Sequence, residues 1–166
     1  MKKKALIVSL KGTKLSKMEK ILLSKEKPWG VILFKRNLKS KKQIKNLTMN
    51  IRNFTKDTKF PIIIDEEGGN VSRLRNIINH NISASFFGNL FKKNKDFCSK
   101  TYQEYIFSLS KILNELGINI NTIPVLDVIR KNFVLSLFTT HNKFMRNLFV
   151  RQRIIQKFNS TSFTFC

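Results

Sequence analysis

The chain has 166 residues, 42% of them hydrophobic, and a formal net charge of +22 from 32 Lys and Arg against 10 Asp and Glu. The apolar content is enough for a packed core and excludes the intrinsically disordered class. A complete (β/α)8 barrel takes about 250 residues, so the length excludes one within this chain.

The charge has two interpretations. Lys is spread over almost every segment instead of forming one stripe, and Asn, Ile and Phe are also abundant. We favour a compositional bias from AT-rich coding over a selected surface for nucleic acid or another polyanion. The two cysteines, Cys98 and Cys166, have no metal-type spacing and favour a reducing compartment.

The first 37 residues predict a strand, a helix and a second strand. Residues 5–10 form an apolar run typical of a buried strand. Ser16 and Glu19 have the spacing of a capping box at the start of a short helix. Residues 28–30 (Pro-Trp-Gly) break the pattern, and residues 31–34 predict a second buried strand before a polar turn.

Further alternation of helices and strands follows to about residue 130. Ser40 caps a predicted helix with apolar residues at helical spacing, and residues 61–64 predict a third strand. Residues 66–98 look irregular, residues 102–116 predict a helix ended by Gly117, and residues 119–125 predict a fourth strand. Apolar strands followed by amphipathic helices indicate a parallel sheet, and the pattern fits a doubly wound sheet or a barrel equally.

The last part of the chain differs in composition. Residues 128–166 contain no Asp or Glu and about half of the 15 Phe. The final residues match neither a helix nor a strand. We therefore expect two regions, a βα-type region at 1–130 and an atypical basic, Phe-rich tail at 131–166.

Acidic residues follow two of the predicted strands. Residues 65–69 (Asp-Glu-Glu-Gly-Gly) come directly after the third strand, and Asp127 ends the fourth apolar run. The carboxyl ends of parallel strands carry ligand sites, where a carboxylate can accept hydrogen bonds from sugar hydroxyls. Arg73 or Arg75 can pair with Asp65 or grip a polar substrate. The alternative for Asp65 is a solvated acidic turn, and the alternative for Asp127 is a helix cap or turn acid.

The motifs and their order resemble glycoside hydrolase family three, in particular its bacterial cytoplasmic β-N-acetylhexosaminidases. The resemblance rests on residues 30–37 (Gly-Val-Ile-Leu-Phe-Lys-Arg-Asn), 65–73, 118–121 and 124–128 (Pro-Val-Leu-Asp-Val). It implies an incomplete (β/α)8 TIM-type barrel of about the first four βα units, with an irregular C-terminal tail.

The resemblance also implies a function and its site residues. The family removes terminal N-acetylglucosamine from peptidoglycan fragments with retention. By the family's motifs, Asp65 holds sugar hydroxyls, Arg73 contributes to the same subsite and Asp127 lies at the floor of the pocket. It implies an N-acetylglucosamine-containing glycan as ligand, and we expect no metal or other cofactor. No apolar run approaches the length of a membrane span and the N-terminus does not match a signal peptide, so we expect no membrane association and a cytoplasmic location.

Two family segments are absent. Neither Gly-Asp-Arg-Ser-Phe nor Lys-His-Phe-Pro-Gly-His occurs after Val128, and no catalytic nucleophile or acid/base is assigned. A retaining mechanism needs both. We therefore expect a truncated enzyme, inactive alone, with a tail that arises from a frameshift or early stop. The alternatives are a polyanion- or nucleic-acid-binding protein and a half that assembles with a separately encoded C-terminal portion.

Overall fold

The computed structural model describes residues 3–69, 71–78, 82–123 and 164–165. In these ranges, strands and helices alternate through the first three strands, and two helices then precede the fourth. The strands are β1 (Lys4–Ser9), β2 (Pro28–Leu33), β3 (Ile62–Ile64), β4 (Ile120–Asn121) and β5 (Thr164–Phe165), and the helices are α1 (Lys17–Ile21), α2 (Lys41–Thr55), α3 (Ala84–Lys93) and α4 (Lys95–Glu115). A π-helical turn at Leu22–Glu26 continues α1, and a 3-10 turn at Lys35–Asn37 follows β2.

The five described strands form one parallel sheet in sequence order, β1-β2-β3-β4-β5. This confirms a mixed α/β fold with a parallel sheet. Because every strand runs the same way, the residues that follow β1, β2, β3 and β4 all emerge at one edge of the sheet.

The main core joins the helices to one face of the sheet. Alternate residues of a strand share a face, and Val31, Leu33, Ile62 and Ile64 all belong to this core. The apolar faces of α2 and α4 pack into the same cluster through Ile44, Leu47, Ile51, Leu109, Leu113 and Leu116. The helices that follow β2 and β3 therefore lie on the same side of the sheet.

A second row of apolar residues lies on the opposite face. Ile32 pairs in register with Ile63, and Ile63 with Ile120. Ile63 is 3% exposed and Ile120 is 7% exposed, yet neither belongs to the helix-covered core. Both faces of the central strands are therefore apolar.

The helix termini follow the sequence signals. Ser16 and Glu19 form the capping box expected for α1, and Ser40 accepts a hydrogen bond from the backbone N–H of Gln43 at the start of α2. Gly117 follows α4 with a φ of +77°, as expected for a helix-terminating glycine.

The expectation of a buried first strand was wrong. β1 is an edge strand, and Leu6 and Ile7 are each 49% exposed. Ile7 pairs with Gly30, which has no side chain to cover it. β2 also begins earlier than expected, at Pro28, because the first residue of a strand tolerates a proline without loss of ladder hydrogen bonds.

The irregular stretch predicted for 66–98 contains a helix, α3, that the sequence pattern missed. Gly88 and Asn89 lower its intrinsic helix propensity. Tertiary packing compensates for the low propensity, since the rings of Phe87 and Tyr102 pack edge to face with their centroids 4.8 Å apart.

Two further boundaries differ. α4 begins at Lys95, seven residues before the predicted start, because the side chain of Asn94 caps it by accepting from the backbone N–H of Phe97 at 3.0 Å. The end of the chain was expected to form neither helix nor strand, but Thr164–Phe165 pairs with β4 as a parallel strand. The remainder of the predicted tail lies outside the described residues.

Candidate functional site

The ends of β3 and β4 bring a group of polar residues together at the carboxyl edge of the sheet. Asp65 directly follows β3, and Thr122 directly follows β4. The hydroxyl of Thr122 donates to Oδ1 of Asp65 at 2.9 Å. The adjacent strands therefore hold one carboxylate at a fixed position.

Asp65 forms an ion pair with Arg73. Nη2 of Arg73 donates to Oδ2 of Asp65 at 2.9 Å, with the two side chains 29% and 25% exposed respectively. The Nε of Arg73 is buried and has no hydrogen-bond partner among the described residues. The pair is thus partly open to solvent and retains donor and acceptor capacity for a polar ligand.

The next acid, Glu66, is fully buried. Its Oε2 accepts hydrogen bonds from the backbone N–H of Arg73 at 2.7 Å and of Leu74 at 2.8 Å. A buried carboxylate is costly unless it is hydrogen-bonded, and backbone N–H donors stabilise the charged form.

Asn121 connects β4 to the same turn. Its Oδ1 accepts from the backbone N–H of Glu66 at 3.0 Å, and its Nδ2 donates to the carbonyl of Glu66 at 3.2 Å. The amide side chain thereby extends the β3–β4 ladder by one step.

Two glycines shape the turn that follows. Gly68 and Gly69 both have positive φ, +78° and +54°. A Cβ on Gly68 would clash with the carbonyl oxygen of Ile82, and one on Gly69 would lie 2.7 Å from Cβ of Ser83. Glycine is therefore required at both positions, because of the positive φ and because of the close packing against the segment that leads into α3.

Tyr105 of α4 lies behind the turn. Burial, reinforced by the negative charge of Glu66, raises the pKa of Tyr105 to about 12. A Cβ on Gly68 would lie 3.2 Å from the phenol oxygen, so this oxygen lies beside the glycine turn. The phenol stays protonated at neutral pH.

The structure brings together two of the three residues assigned from the sequence. Asp65 pairs with Arg73, whereas Arg75 donates to the carbonyl oxygen of Gly69. Asp127 lies outside the described residues. Sequence reasoning missed Glu66, Asn121 and Thr122, although polar residues at the end of an apolar strand were a signal for the last two.

The described ranges contain no group of three or more His, Cys, Asp or Glu side chains that could hold a metal ion. No helix in the described part of the chain has the length and apolarity needed to cross a membrane.

The chain is similar in sequence to curated bacterial proteins named Beta-hexosaminidase. It is 29% identical to the protein of Nitrosomonas eutropha over 123 residues, which cover 74% of this chain and 35% of that protein. It is 28% identical to that of Xanthomonas campestris over 127 residues, which cover 76% of this chain and 38% of that protein. The chain thus spans little more than a third of these relatives. No protein-family model matches it.

Solved structures show the same fold. NagZ from Neisseria gonorrhoeae, in complex with N-trifluoroacetyl-D-glucosamine, matches with a TM-score of 0.73 and 24% identity over 85% of this chain and 42% of that one. A glycoside hydrolase family 3 β-N-acetylglucosaminidase from Paenibacillus matches with a TM-score of 0.66 and 25% identity over 75% of this chain and 23% of that one. The sequence and structural relatives together confirm the resemblance to β-N-acetylhexosaminidases of glycoside hydrolase family three.

Proposed function

We propose that the carboxyl edge of β3 and β4 is the sugar-holding part of a β-N-acetylhexosaminidase-like site, and that Asp65 and Arg73 contact an N-acetylglucosamine unit. The observation that carries this is the Asp65–Arg73 ion pair, fixed by Thr122 and partly open to solvent. The similarity to proteins named Beta-hexosaminidase supports the substrate class.

The chemistry of the pair suits a sugar. Each oxygen of Asp65 already accepts one hydrogen bond and can accept another from a hydroxyl group. The Arg73 side chain is 29% exposed, and its guanidinium has further N–H groups that can donate to a hydroxyl or acetamido oxygen. A charged donor and a charged acceptor side by side match neighbouring hydroxyl groups, which both donate and accept.

We further infer that the described elements are part of a (β/α) barrel. Doubly wound sheets reverse their strand order and place helices on both faces. Here the order is sequential, and α2 and α4 pack on one face. The opposite face, with Ile32, Ile63 and Ile120 in register, has the apolar character of a barrel interior.

Cleavage is a separate matter from binding. A retaining glycosidase needs a nucleophile and an acid/base, and no residue of this chain is assigned to either role. We propose that residues 1–130 bind sugar without hydrolysing it, that Asp127 contributes to the pocket floor and that residues 131–166 are a separate tail. The natural ligands would be cell-wall fragments in the cytoplasm.

The test is a titration of the ¹⁵N-labelled chain with N-acetylglucosamine, followed by NMR. We expect millimolar affinity, which corresponds to about 4 kcal/mol, with shifts centred on Asp65 and Arg73. Asp65→Ala should abolish the shifts. Asp57→Ala is the matched control, because Asp57 forms an ion pair with Lys3 at 2.6 Å before β3, away from the site.

Two results would overturn the proposal. The absence of binding by the wild-type chain would remove the sugar-holding role. Turnover of a chromogenic N-acetylglucosaminide that Asp65→Ala abolishes would contradict the claim that the chain does not hydrolyse its ligand.

A further inference from the structure

We propose that Glu66 is a positioning residue whose buried carboxylate sets the geometry of the Asp65–Arg73 pair. The inference rests on the proposed sugar-holding role of that pair. It concerns the second residue of the Asp-Glu-Glu-Gly-Gly run at 65–69, where the sequence alone indicated nothing beyond an acidic turn.

The carboxylate of Glu66 acts on the backbone of Arg73. It is fully buried and accepts from the N–H of Arg73 and of Leu74 through the same oxygen, at 2.7 and 2.8 Å. Hydrogen bonds to a charged acceptor are shorter and about twice as strong as neutral ones. Leu74 is itself fully buried in the main core, so the returning chain is held at two adjacent residues.

These contacts close a ring between the two strand ends. Asn121 fixes the backbone of Glu66 from β4, and Glu66 fixes the backbone of Arg73. Arg73 then holds Asp65, which accepts from Thr122, the neighbour of Asn121 in the chain. Every member of the ring is positioned by another. Glu66 is the member that binds the backbone of residues 73–74 to the end of β3.

The ring explains why a hydrogen-bond acceptor is buried here. The guanidinium of Arg73 reaches Asp65 only when the Arg73 backbone lies at the right distance. The carboxylate of Glu66 holds the Arg73 backbone at that position. If Glu66 only secured the loop, its loss would lower stability and leave the pair able to bind. The two roles therefore differ in what they predict for ligand affinity at a given stability.

The experiment compares two substitutions at Glu66 with a remote control. Glu66→Gln keeps a carbonyl acceptor, whereas Glu66→Met keeps the length and removes it. Thr48→Val is the control, since the buried Thr48 hydroxyl donates to the carbonyl of Leu116 at 2.9 Å near the start of β4, at the other edge of the sheet. The readouts are Tm, affinity for N-acetylglucosamine and the NMR resonance of the Arg73 Nε–H.

We expect Glu66→Gln to bind within about threefold of wild type and Glu66→Met to lose at least about tenfold, since hydrogen bonds to charged groups contribute roughly 1.5–3 kcal/mol. Thr48→Val should lower Tm and leave affinity unchanged. Undiminished binding by Glu66→Met would overturn the proposal. If Glu66→Met does not fold, Glu66→Asp decides, because retraction of the carboxylate by one methylene should also weaken binding, and unchanged affinity would overturn the idea.

The Arg73 resonance separates this proposal from the proposed function. If the wild-type chain binds no sugar, the sugar-holding role fails, but Glu66 is still tested. A shift of the Arg73 Nε–H signal in Glu66→Met that is absent in Thr48→Val supports positioning. An unshifted signal in both variants refutes it.

Discussion

Gly68 is the residue whose side chain the turn tolerates least. Its φ is +78°, and an added Cβ would clash with the carbonyl oxygen of Ile82. We expect Gly68→Ala to lower the free energy of unfolding by about 1–3 kcal/mol, since a non-glycine residue held at positive φ is strained and the clash adds to that strain. Urea unfolding followed by circular dichroism measures the change.

The matched control is Gly12→Ala. A Cβ on Gly12 meets nothing within 4 Å. That substitution should change stability by no more than about 0.5 kcal/mol. Equal losses at Gly68 and Gly12 would show that the glycine turn is not tightly packed against the segment before α3.

The two tyrosines provide a pH-dependent test at the same scale. They are the chain's only ones, Tyr102 and Tyr105, and both lie on α4. Burial raises the pKa of Tyr102, and burial together with the charge of Glu66 raises that of Tyr105 to about 12. Both phenols should therefore ionise at a higher pH in the folded chain than in the urea-unfolded chain. Tyrosinate absorbance measures the ionisation.

The sign of the stability effect follows from these shifts. Each phenol has a folded-state pKa above the unfolded value of about 10. The stabilisation that each contributes is therefore present below pH 10, and that of Tyr105 is lost as the pH rises through about 12. Tyr105→Phe should flatten this alkaline loss. Overlapping titration curves for folded and unfolded chains would refute the burial of the two phenols.

At single positions, the sequence predicted part of the site. Asp65 was identifiable because an acid directly after an apolar strand marks the carboxyl edge of a parallel sheet, and Arg73 was one of two candidate partners. Glu66 was not identifiable, because no sequence pattern distinguishes a buried acid from a solvated one. Its burial depends on backbone donors seven and eight residues later, which only the folded turn brings into reach.

At the level of elements, prediction succeeded where the hydrophobic pattern is strong. α2 has the expected cap at Ser40 and buries Ile44, Leu47 and Ile51 as its spacing predicted. α3 was missed, because packing of Phe87 on Tyr102 overrides its weak intrinsic propensity. Apolar runs predicted that β1 is a strand but not that it lies at an edge, since edge position depends on which strands pair.

The exposed first strand leads to a prediction about solubility. Edge strands with exposed apolar residues promote association, and charged residues oppose it. Ile7 is 49% exposed and pairs with Gly30, so Ile7→Lys should raise the soluble fraction of the expressed chain with little change in Tm. Sedimentation of lysates and thermal unfolding measure the two quantities.

The neighbouring residue serves as the control. Val8 is partly buried against the main core. Val8→Lys should lower Tm and soluble yield, because it buries a charge. If Ile7→Lys lowers Tm as much as Val8→Lys does, the exposed edge assigned to β1 is wrong.

At the scale of the whole molecule, the parallel sheet was predictable, but the choice between a doubly wound sheet and a barrel was not. Both begin with the same alternation of strands and helices. Strand order and the single helix-covered face support the proposed barrel, and both are properties of tertiary pairing. The apolar second face of β2, β3 and β4 was concealed in the sequence because continuous apolar runs show no alternation.

The net charge of +22 has its consequences at this scale as well. A cleft of about 570 Å³ lies between α1, α2 and the segment that follows β1. Its lining includes three lysines and no acid. Lys20 within it lies 5.3 Å from the ring centre of Phe54. If the charge were selected for nucleic acid, this cleft would be the place to expect a dedicated contact.

We expect no such preference, because Lys is distributed along the whole chain. Replacing Lys14, Lys20 and Lys42 by Gln should lower the salt concentration at which the chain leaves a DNA column. Replacing Lys92, Lys93 and Lys95, where Lys95 lies over Phe91 as Lys20 lies over Phe54, should lower it equally. If binding is only electrostatic, each lost phosphate contact lowers the slope of log affinity against log salt concentration by about one, wherever the lysine lies. A markedly larger loss from the cleft set would instead establish a selected polyanion site in the cleft.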